Sequence, residues 1–382
     1  MPAALDWTAL SPALPAPAAV VDLDAFTHNA ERIAAAAGGK RLRLVVPHLP
    51  CPALLQRLLT GGLPFAGLLV GSPAEAAFYA GLGFDDLLLI TPPGRPREAA
   101  LAVELLRKGT HLWSVVDELA QAVLLAEAGA EAGLRVPLLL EVDVSWRPSE
   151  EVAGAPRRSA LIDSEAALAL GRELQAVSGV RIAGYLAYEA QLAREVGASL
   201  AASAVRAIVR RQAARLAPDR RGALLDGLRE LGVSVLIGTG GGSAALPGAG
   251  GDPACNELCV GSALLTPSPE AQRELDLRPA LFLHTVVARK PEADLIVVGG
   301  GGLVEGAPIL PASASRLSTP GWGARLTPLR VTGEAAPPLG APVIWRPEAP
   351  GLLDRVGALW LARGDGLAGS VETAAGLGFL GE

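Results

Sequence analysis

The chain has 382 residues, half of them apolar and only 4% aromatic, which is enough to bury a large core and to form two domains. A net charge of −6 excludes nucleic acid as a default partner, and no uninterrupted apolar run reaches membrane-spanning length. The first residues lack the basic and apolar regions of a secretory signal, and three cysteines without a zinc-type CxxC fit a reduced, cytoplasmic protein with no metal centre. Cys255 and Cys259 read as the flanks of a buried strand rather than as a metal pair.

A proline-rich lead (Pro12, Pro15, Pro17) reads as an extended segment, followed by a short strand over Ala18–Asp22. Short apolar, β-branched runs then alternate with Ala/Leu/Glu/Arg stretches of helical period. The predicted strands are Leu42–Val46, Ala66–Val70, Asp86–Thr91, His111–Val116, Val136–Val142, Ile182–Ala187, Ser234–Ile237 and Asn256–Val260. Helices are predicted over Cys51–Thr60, Pro73–Leu82, Pro96–Lys108, Glu118–Ala132, Ser164–Val177 and Ser199–Leu216. Eight strand–helix units predict an α/β fold of the (β/α)8 TIM-barrel type over residues 20–268. A doubly wound sheet explains the count less well, and no early GxGxxG joins a strand to a helix. After residue 270 helical periodicity fades, Pro and Gly multiply, and short strands such as Phe282–Ala288, Leu295–Val298 and Val343–Trp345 follow. Residues 1–19 and 269–382 are therefore expected to build a β-rich domain.

Chemistry in such a barrel gathers at the C-terminal strand ends, and anions often sit after strands seven and eight. The run Gly238, Thr239, Gly240, Gly241, Gly242, Ser243 follows the predicted seventh strand, and Gly261 and Ser262 follow the eighth. Glycines let backbone N–H groups approach an anion, and the hydroxyls add bonds. Strand five ends in Glu141-Val-Asp-Val-Ser-Trp-Arg147, which aims Asp143 at the mouth. Strand six ends in Tyr185-Leu-Ala-Tyr-Glu-Ala-Gln191, and alternation sets Leu186 and Tyr188 on one face. Two of the three tyrosines fall here, as a ring-lined pocket requires. Arg157 and Arg158 lie in the loop after strand five, where they pair with a carboxylate or are simply solvated. His48, at the end of strand one, has the residue type of a base near neutral pH. A nucleophilic pair with Cys51 would need an exposed, thiolate-favouring cysteine. His28 and His284 read as structural.

Several segments together resemble one family. They are Ala19-Val-Val-Asp-Leu-Asp-Ala-Phe-Thr-His-Asn29, Cys51-Pro-Ala-Leu-Leu-Gln-Arg-Leu-Leu59, Val142-Asp-Val-Ser-Trp-Arg-Pro148, Gly184-Tyr-Leu-Ala-Tyr-Glu-Ala-Gln191, the Gly238–Ser243 run and Gly261-Ser262. In order and spacing they are similar to the bacterial amino-acid deaminase/aldolase group, akin to D-threonine aldolase and D-serine dehydratase. These are fold-type III, alanine-racemase-like enzymes of pyridoxal phosphate (PLP). The resemblance implies a PLP barrel, a β-domain and a homodimer, and marks Asp143, Tyr188 and Gln191 as retained site residues.

It also implies departures. Relatives hold PLP on a lysine four residues before a Cys-Pro pair; counted back from Cys51-Pro52, that place is Pro47. Pro347 stands where relatives carry a histidine, and Leu265 where they often have a tyrosine. Only Lys40, Lys108 and Lys290 exist in the chain. Lys40 lies before strand one, about 16 Å from its end at about 3.3 Å per residue, beyond the reach of its side chain. Three readings follow. One is a repurposed enzyme acting without covalent PLP on a small polar or phosphorylated metabolite. Another is an inactive relative that binds PLP non-covalently, an amino acid or a paralogous chain. The third is a PLP-linked lyase on β-hydroxy amino acids, which requires a lysine elsewhere.

Overall fold

The computed structural model describes residues 5–146, 157–189, 200–242, 245–317 and 325–379. These form two compact units: one from 33–47 and 57–261, the other from the residues up to 32, 48–56 and those from 262 on. After β1 (Ala18–Asp22) come β2 (Arg41–Val45), β3 (Phe65–Val70), β4 (Leu87–Leu89), β5 (Leu112–Val116), β6 (Val136–Glu141), β7 (Val180–Ala187), β8 (Ile237–Gly240) and β9 (Glu257–Val260). β2 to β9 pair in parallel, and β9 closes on β2 with Arg41 opposite Glu257. The longer helices among the described residues are α1 (Leu23–Ala36), α2 (Pro52–Thr60), α3 (Pro73–Gly81), α4 (Pro96–Arg107), α5 (Leu119–Glu131), α6 (Ser164–Gln175) and α7 (Leu200–Glu230). The eight-stranded barrel is thus the one its alternating pattern predicts. No helix among the described residues is long and apolar enough to cross a membrane.

Local chemistry fixes the helix starts. Ser72 caps α3 by accepting from Glu75 N, and Asp163 caps α6 by accepting from Ala166 N at 2.8 Å; each bond satisfies a donor that the first helical turn leaves open. Pro73 and Pro96 open α3 and α4, where a missing N–H costs nothing. Parallel strands covered on both faces read as near-continuous apolar runs, as in the fully buried β6, which is apolar up to its last residue, Glu141.

The barrel interior has two layers of different chemistry. Leu69, Leu88, Val115, Leu139, Leu186, Ile237 and Cys259 make an apolar cluster. Nearer the N-terminal ends lies the fully buried Arg43. Its Nε and Nη2 donate to the two Glu257 carboxylate oxygens at 2.6 and 2.9 Å, and Nη2 also donates to Asp86 Oδ1 at 2.9 Å. Trp113 Nε1 donates to the same Asp86 oxygen. Gly67 makes room for this guanidinium. Its φ is +78°, and a Cβ there would lie 2.6 Å from Arg43 Nη1.

Three differences from the sequence expectation change how the residues are read. The predicted seventh barrel strand, which is β8, begins at Ile237 rather than ending there, so Gly238, Thr239 and Gly240 are strand residues. Helix α7 runs on past Leu216 and through Pro218 to Glu230, because Arg220 and Arg221 anchor its second half to Ser145 O and Asp252. The proline-rich lead is not extended throughout: Trp7–Leu10 forms a helical turn capped by Asp6, and Ser11–Ala13 a 3-10 turn.

In the other unit β1 lies inside a nine-stranded sheet. With β10 (Leu281–Glu292), β11 (Leu295–Gly299), β12 (Ala307–Leu310), β13 (Ala314–Arg316), β14 (Leu326–Val331), β15 (Pro342–Arg346), β16 (Ala358–Arg363) and β17 (Gly366–Glu372), the main order is β13-β14-β11-β10-β1-β16-β17. β15 pairs with β10 and β12 off this path. Leu5, Leu10 and Leu14 of the lead pack with Val20 and Ala362, and Trp7 meets Phe282 edge-on at 5.4 Å. His284 is buried between Ser11 Oγ and Pro15 O, and His28 bonds Asp276 O at 2.7 Å. Both histidines are structural.

Removing Glu257 strands a buried cation. Glu257→Leu is expected to lower stability by roughly 3–5 kcal/mol, whereas Glu257→Leu with Arg43→Met recovers most of that loss. Urea unfolding of the two variants checks this; a double variant no more stable than the single one contradicts it.

Candidate functional site at the barrel mouth

Strand alternation decides which side chains look into the mouth. Glu141 shares the face of Leu139, Tyr188 that of Leu186, and Asp117 that of Val115; Leu139, Leu186 and Val115 all belong to the interior cluster. The segment Arg158–Leu161 returns alongside the end of β6. Val142 and Leu161 form a parallel bridge, Asp143 N donates to Leu161 O at 2.8 Å, and Ser159 Oγ donates to Glu141 O at 2.5 Å.

This return path brings a guanidinium into an acidic mouth. Arg158 Nε donates to Glu141 Oε1 at 2.5 Å, and its guanidinium carbon lies 5.2 Å from the Tyr188 ring centroid, a cation–π distance. The Arg158 side chain stays 40% exposed while Glu141 is buried. Asp143, also buried, accepts from Ser145 N at 2.9 Å and from Arg158 N at 3.4 Å. Asp117 accepts from Ala160 N and Gln121 Nε2. Burial pushes the Glu141 pKa up, Arg158 pulls it back, and Asp117 and Asp143 push it up further. Burial likewise raises Tyr188 against the pull of Arg158.

Next to Tyr188 in the chain, Glu189 is held by internal hydrogen bonds. It is 3% exposed; one carboxylate oxygen accepts from Arg221 Nη1 and the other from Gly241 N at 2.7 Å. Arg221 continues to Asp252 Oδ2 at 2.7 Å and Ala187 O at 3.2 Å. The glycine run expected to bind an anion therefore divides. Gly238 packs on Tyr185 and Ala254 O, and Gly240 on Arg221 and Cys255, where a Cβ would lie at 2.8–2.9 Å. Thr239 is fully buried, with Oγ1 3.4 Å from Cys259 Sγ. Gly241 and Gly242 remain past the strand end, and a Cβ on Gly242 would lie 2.8 Å from Tyr188 Cε2.

The sequence-predicted residues are thus sorted. Asp143, Tyr188, Gly241 and Gly242 come together with Glu141 and Arg158. Arg158, expected in a loop either to pair with a carboxylate or to be solvated, takes the first of these on Glu141, whereas sequence reasoning does not single out Glu141, Glu189 or Arg221. Gln191, Ser243 and Arg147 lie outside the described residues. Gly261 is buried after β9, and Ser262 opens a 3-10 turn, its carbonyl accepting from Leu265 N and Thr266 N. Pro47 sits at the end of β2, its Cγ 3.8 Å from a Cβ placed on Gly71. His48 ends the 3-10 turn Val46–His48. It is open to solvent, yet desolvation pushes its pKa below the usual imidazole value. Cys51 is buried and its thiol pushed up to about 11 by burial, which removes it as a thiolate nucleophile. Leu265 is core, and Pro347 follows β15.

The lysines are accounted for individually. Lys40 Nζ donates to Asp252 O and to Cys255 O, the latter at 2.6 Å, beside the N-terminal end of β9. Lys108 precedes β5 and pairs with Glu104 at 3.4 Å. Lys290 Nζ donates to Ala336 O in the other unit. No barrel lysine stands at a C-terminal strand end.

Comparison with known proteins agrees with this architecture. The model of the family "Alanine racemase, N-terminal domain" matches residues 21–269. The D-threo-3-hydroxyaspartate dehydratase of a Delftia species is 30% identical over 181 residues, 46% of this chain. That match spans 43% of the dehydratase, less than half its length. Among solved structures, D-threonine aldolase from Filomicrobium marinum superposes with a TM-score of 0.77 at 22% identity, covering 93% of this chain and 92% of the other. The Delftia dehydratase superposes at 0.75 with 20% identity, covering 95% and 98%. At these identities the two superpositions show shared fold.

The Glu141 environment predicts a pH signature. Because its pKa is raised in the fold, the folded chain holds the proton more tightly than the unfolded one. The resulting stabilisation is complete below the ordinary glutamate value of 4.5 and is lost as pH rises through the raised value. Subtracting the unfolding free energies of Glu141→Gln from those of wild type across this window isolates that decline. A flat difference contradicts the assignment.

Proposed function

The chain belongs to the alanine racemase N-terminal-domain family, within the fold-type III PLP enzymes, and on that premise we propose that its barrel mouth handles a small acidic or phosphorylated metabolite without a Schiff base. The observation that carries this reading is a mouth with a guanidinium, a phenol and paired carboxylates but no amine. Pro47, at the place the family resemblance gives to the cofactor lysine, has none, and Lys40 is tied down at the opposite end.

The residues present do not fit covalently held PLP. The phosphate-facing side is also reduced, because Glu189 uses the Gly241 N–H. What remains suits non-covalent binding and proton transfer. Arg158 meets an acid group through a charge-assisted bond, and the Tyr188 ring offers a stacking face. Glu141, with its raised pKa, holds or releases a proton nearer neutrality than an ordinary glutamate does. The alternative, an inactive relative that binds PLP, an amino acid or a paralogous chain, shares this binding face and lacks turnover. A homodimer is proposed from the family resemblance; sedimentation at the mass of one chain overturns it.

Titration of the full chain with PLP, followed by borohydride and peptide mass spectrometry, tests the reading. Wild type is expected to yield no stoichiometric lysine adduct, and Pro47→Lys to yield one at residue 47. A stoichiometric wild-type adduct overturns it. Arg158→Ala is expected to weaken PLP or inorganic phosphate binding about tenfold or more, the worth of one charge-assisted hydrogen bond. Equal affinity in wild type and Arg158→Ala removes Arg158 from the site.

A further inference from the structure

Arg158 is held in two separable ways. Its main chain is fixed by the Arg158–Leu161 return: its own N donates to Asp143 Oδ2 at 3.4 Å, and Ser159 Oγ donates to Glu141 O. Its side chain is fixed by Glu141, through the 2.5 Å bond to Nε, and by the Tyr188 ring 5.2 Å away. An arginine side chain carries about 2 kcal/mol of rotamer entropy, and a surface arginine 40% exposed would ordinarily sample many rotamers. Here one edge of the guanidinium is tied to a buried carboxylate and one face rests on a ring.

We propose that Glu141 is a positioning residue for ligand recognition: its carboxylate holds the Arg158 guanidinium over Tyr188, so that the exposed part of the guanidinium meets an incoming carboxylate or phosphate already oriented. A pre-oriented fork loses less entropy on pairing, which favours planar, bidentate recognition of such groups. Glu141 contacts the ligand only through Arg158. Lysine at 158 keeps the charge and loses the fork and the stacking. The binding half of this inference rests on the reading of the mouth as an acid-group site; the positioning half does not.

Two measurements on the full chain separate these halves. The first is the rate at which phenylglyoxal modifies Arg158, followed by peptide mass spectrometry. Glu141→Leu is expected to raise that rate about fivefold or more while the thermal midpoint of unfolding stays within a few degrees. Glu141→Gln keeps the shape and an acceptor oxygen and is expected to fall between Glu141→Leu and wild type. The second is PLP affinity by absorbance with inorganic phosphate as competitor. Glu141→Leu is expected to weaken it about tenfold, with partial recovery in Glu141→Gln, and Arg158→Lys to resemble Arg158→Ala more than wild type. Unchanged labelling of Arg158 in both Glu141 variants overturns the inference. Faster labelling with identical PLP affinity in wild type and Arg158→Ala leaves Glu141 as the holder of Arg158 and sinks the acid-group reading instead. Should Glu141→Leu fail to fold, the labelling rate of Glu141→Gln decides alone: a rate equal to wild type overturns the proposal.

Discussion

Closing eight parallel strands creates an interior that must be filled, and this chain fills part of it with charge. The pair formed by Arg43 and Glu257 joins β2 to β9, the two strands whose pairing makes the sheet a barrel. Both side chains are essentially without solvent. Desolvating them costs several kcal/mol each, and only a bidentate geometry with every remaining donor engaged offsets that. Arg43 meets this condition: its Nη1 donates to Leu68 O and Asp86 O, and its Nη2 to Asp86 Oδ1 as well as Glu257. Gly67 must then lack a side chain. A polar plug of this kind seals the N-terminal side and leaves the C-terminal ends as the polar opening of the barrel.

A second ion network sets what that opening is made of. Arg221, on the helix after β7, reaches through the wall to Asp252 and Glu189, and Glu189 hands its other oxygen to the Gly241 amide. The loop after β8 is thereby shaped from within by an internal carboxylate. An anion seated there would compete with Glu189 for the same N–H, across a short distance and in a medium where like charges are poorly screened. Among the described residues, the guanidinium on the mouth side of β6 is that of Arg158, carried by the return beside the strand.

How much of this was legible from sequence depends on the range of the contact that decides it. Barrel strands announce themselves through local runs of Val, Leu and Ile, and Asp143 and Tyr188 follow from strand-end position and alternation alone. Strand β8 lies three residues later than the expected Ser234–Ile237, because Gly238 and Gly240 read as loop by propensity whereas the packing of Tyr185, Arg221 and Cys255 against them requires glycine within the strand. Helix α7 reads as ending before Pro218, since local rules penalise proline inside a helix, yet Arg220 and Arg221 are anchored beyond it. The pairings of Glu141 with Arg158 and Glu189 with Arg221 join residues 17 and 32 apart in sequence. A single chain gives no local signal for such a partner; only the return of a loop along β6, or a helix across the wall, creates it.

The same pairings explain how a barrel of this family keeps an acidic mouth folded. Buried carboxylates left unpaired would be costly. Here the acidic residues have partners supplied by the chain itself: Arg158 for Glu141, backbone N–H groups for Asp143 and Asp117, and Arg221 with Gly241 for Glu189. Such a mouth is folded and charged before any ligand arrives. A ligand that uses Arg158 would have to meet the guanidinium at the edge Glu141 leaves open, and that favours compact groups of high charge density that reach this edge while leaving the buried pair intact.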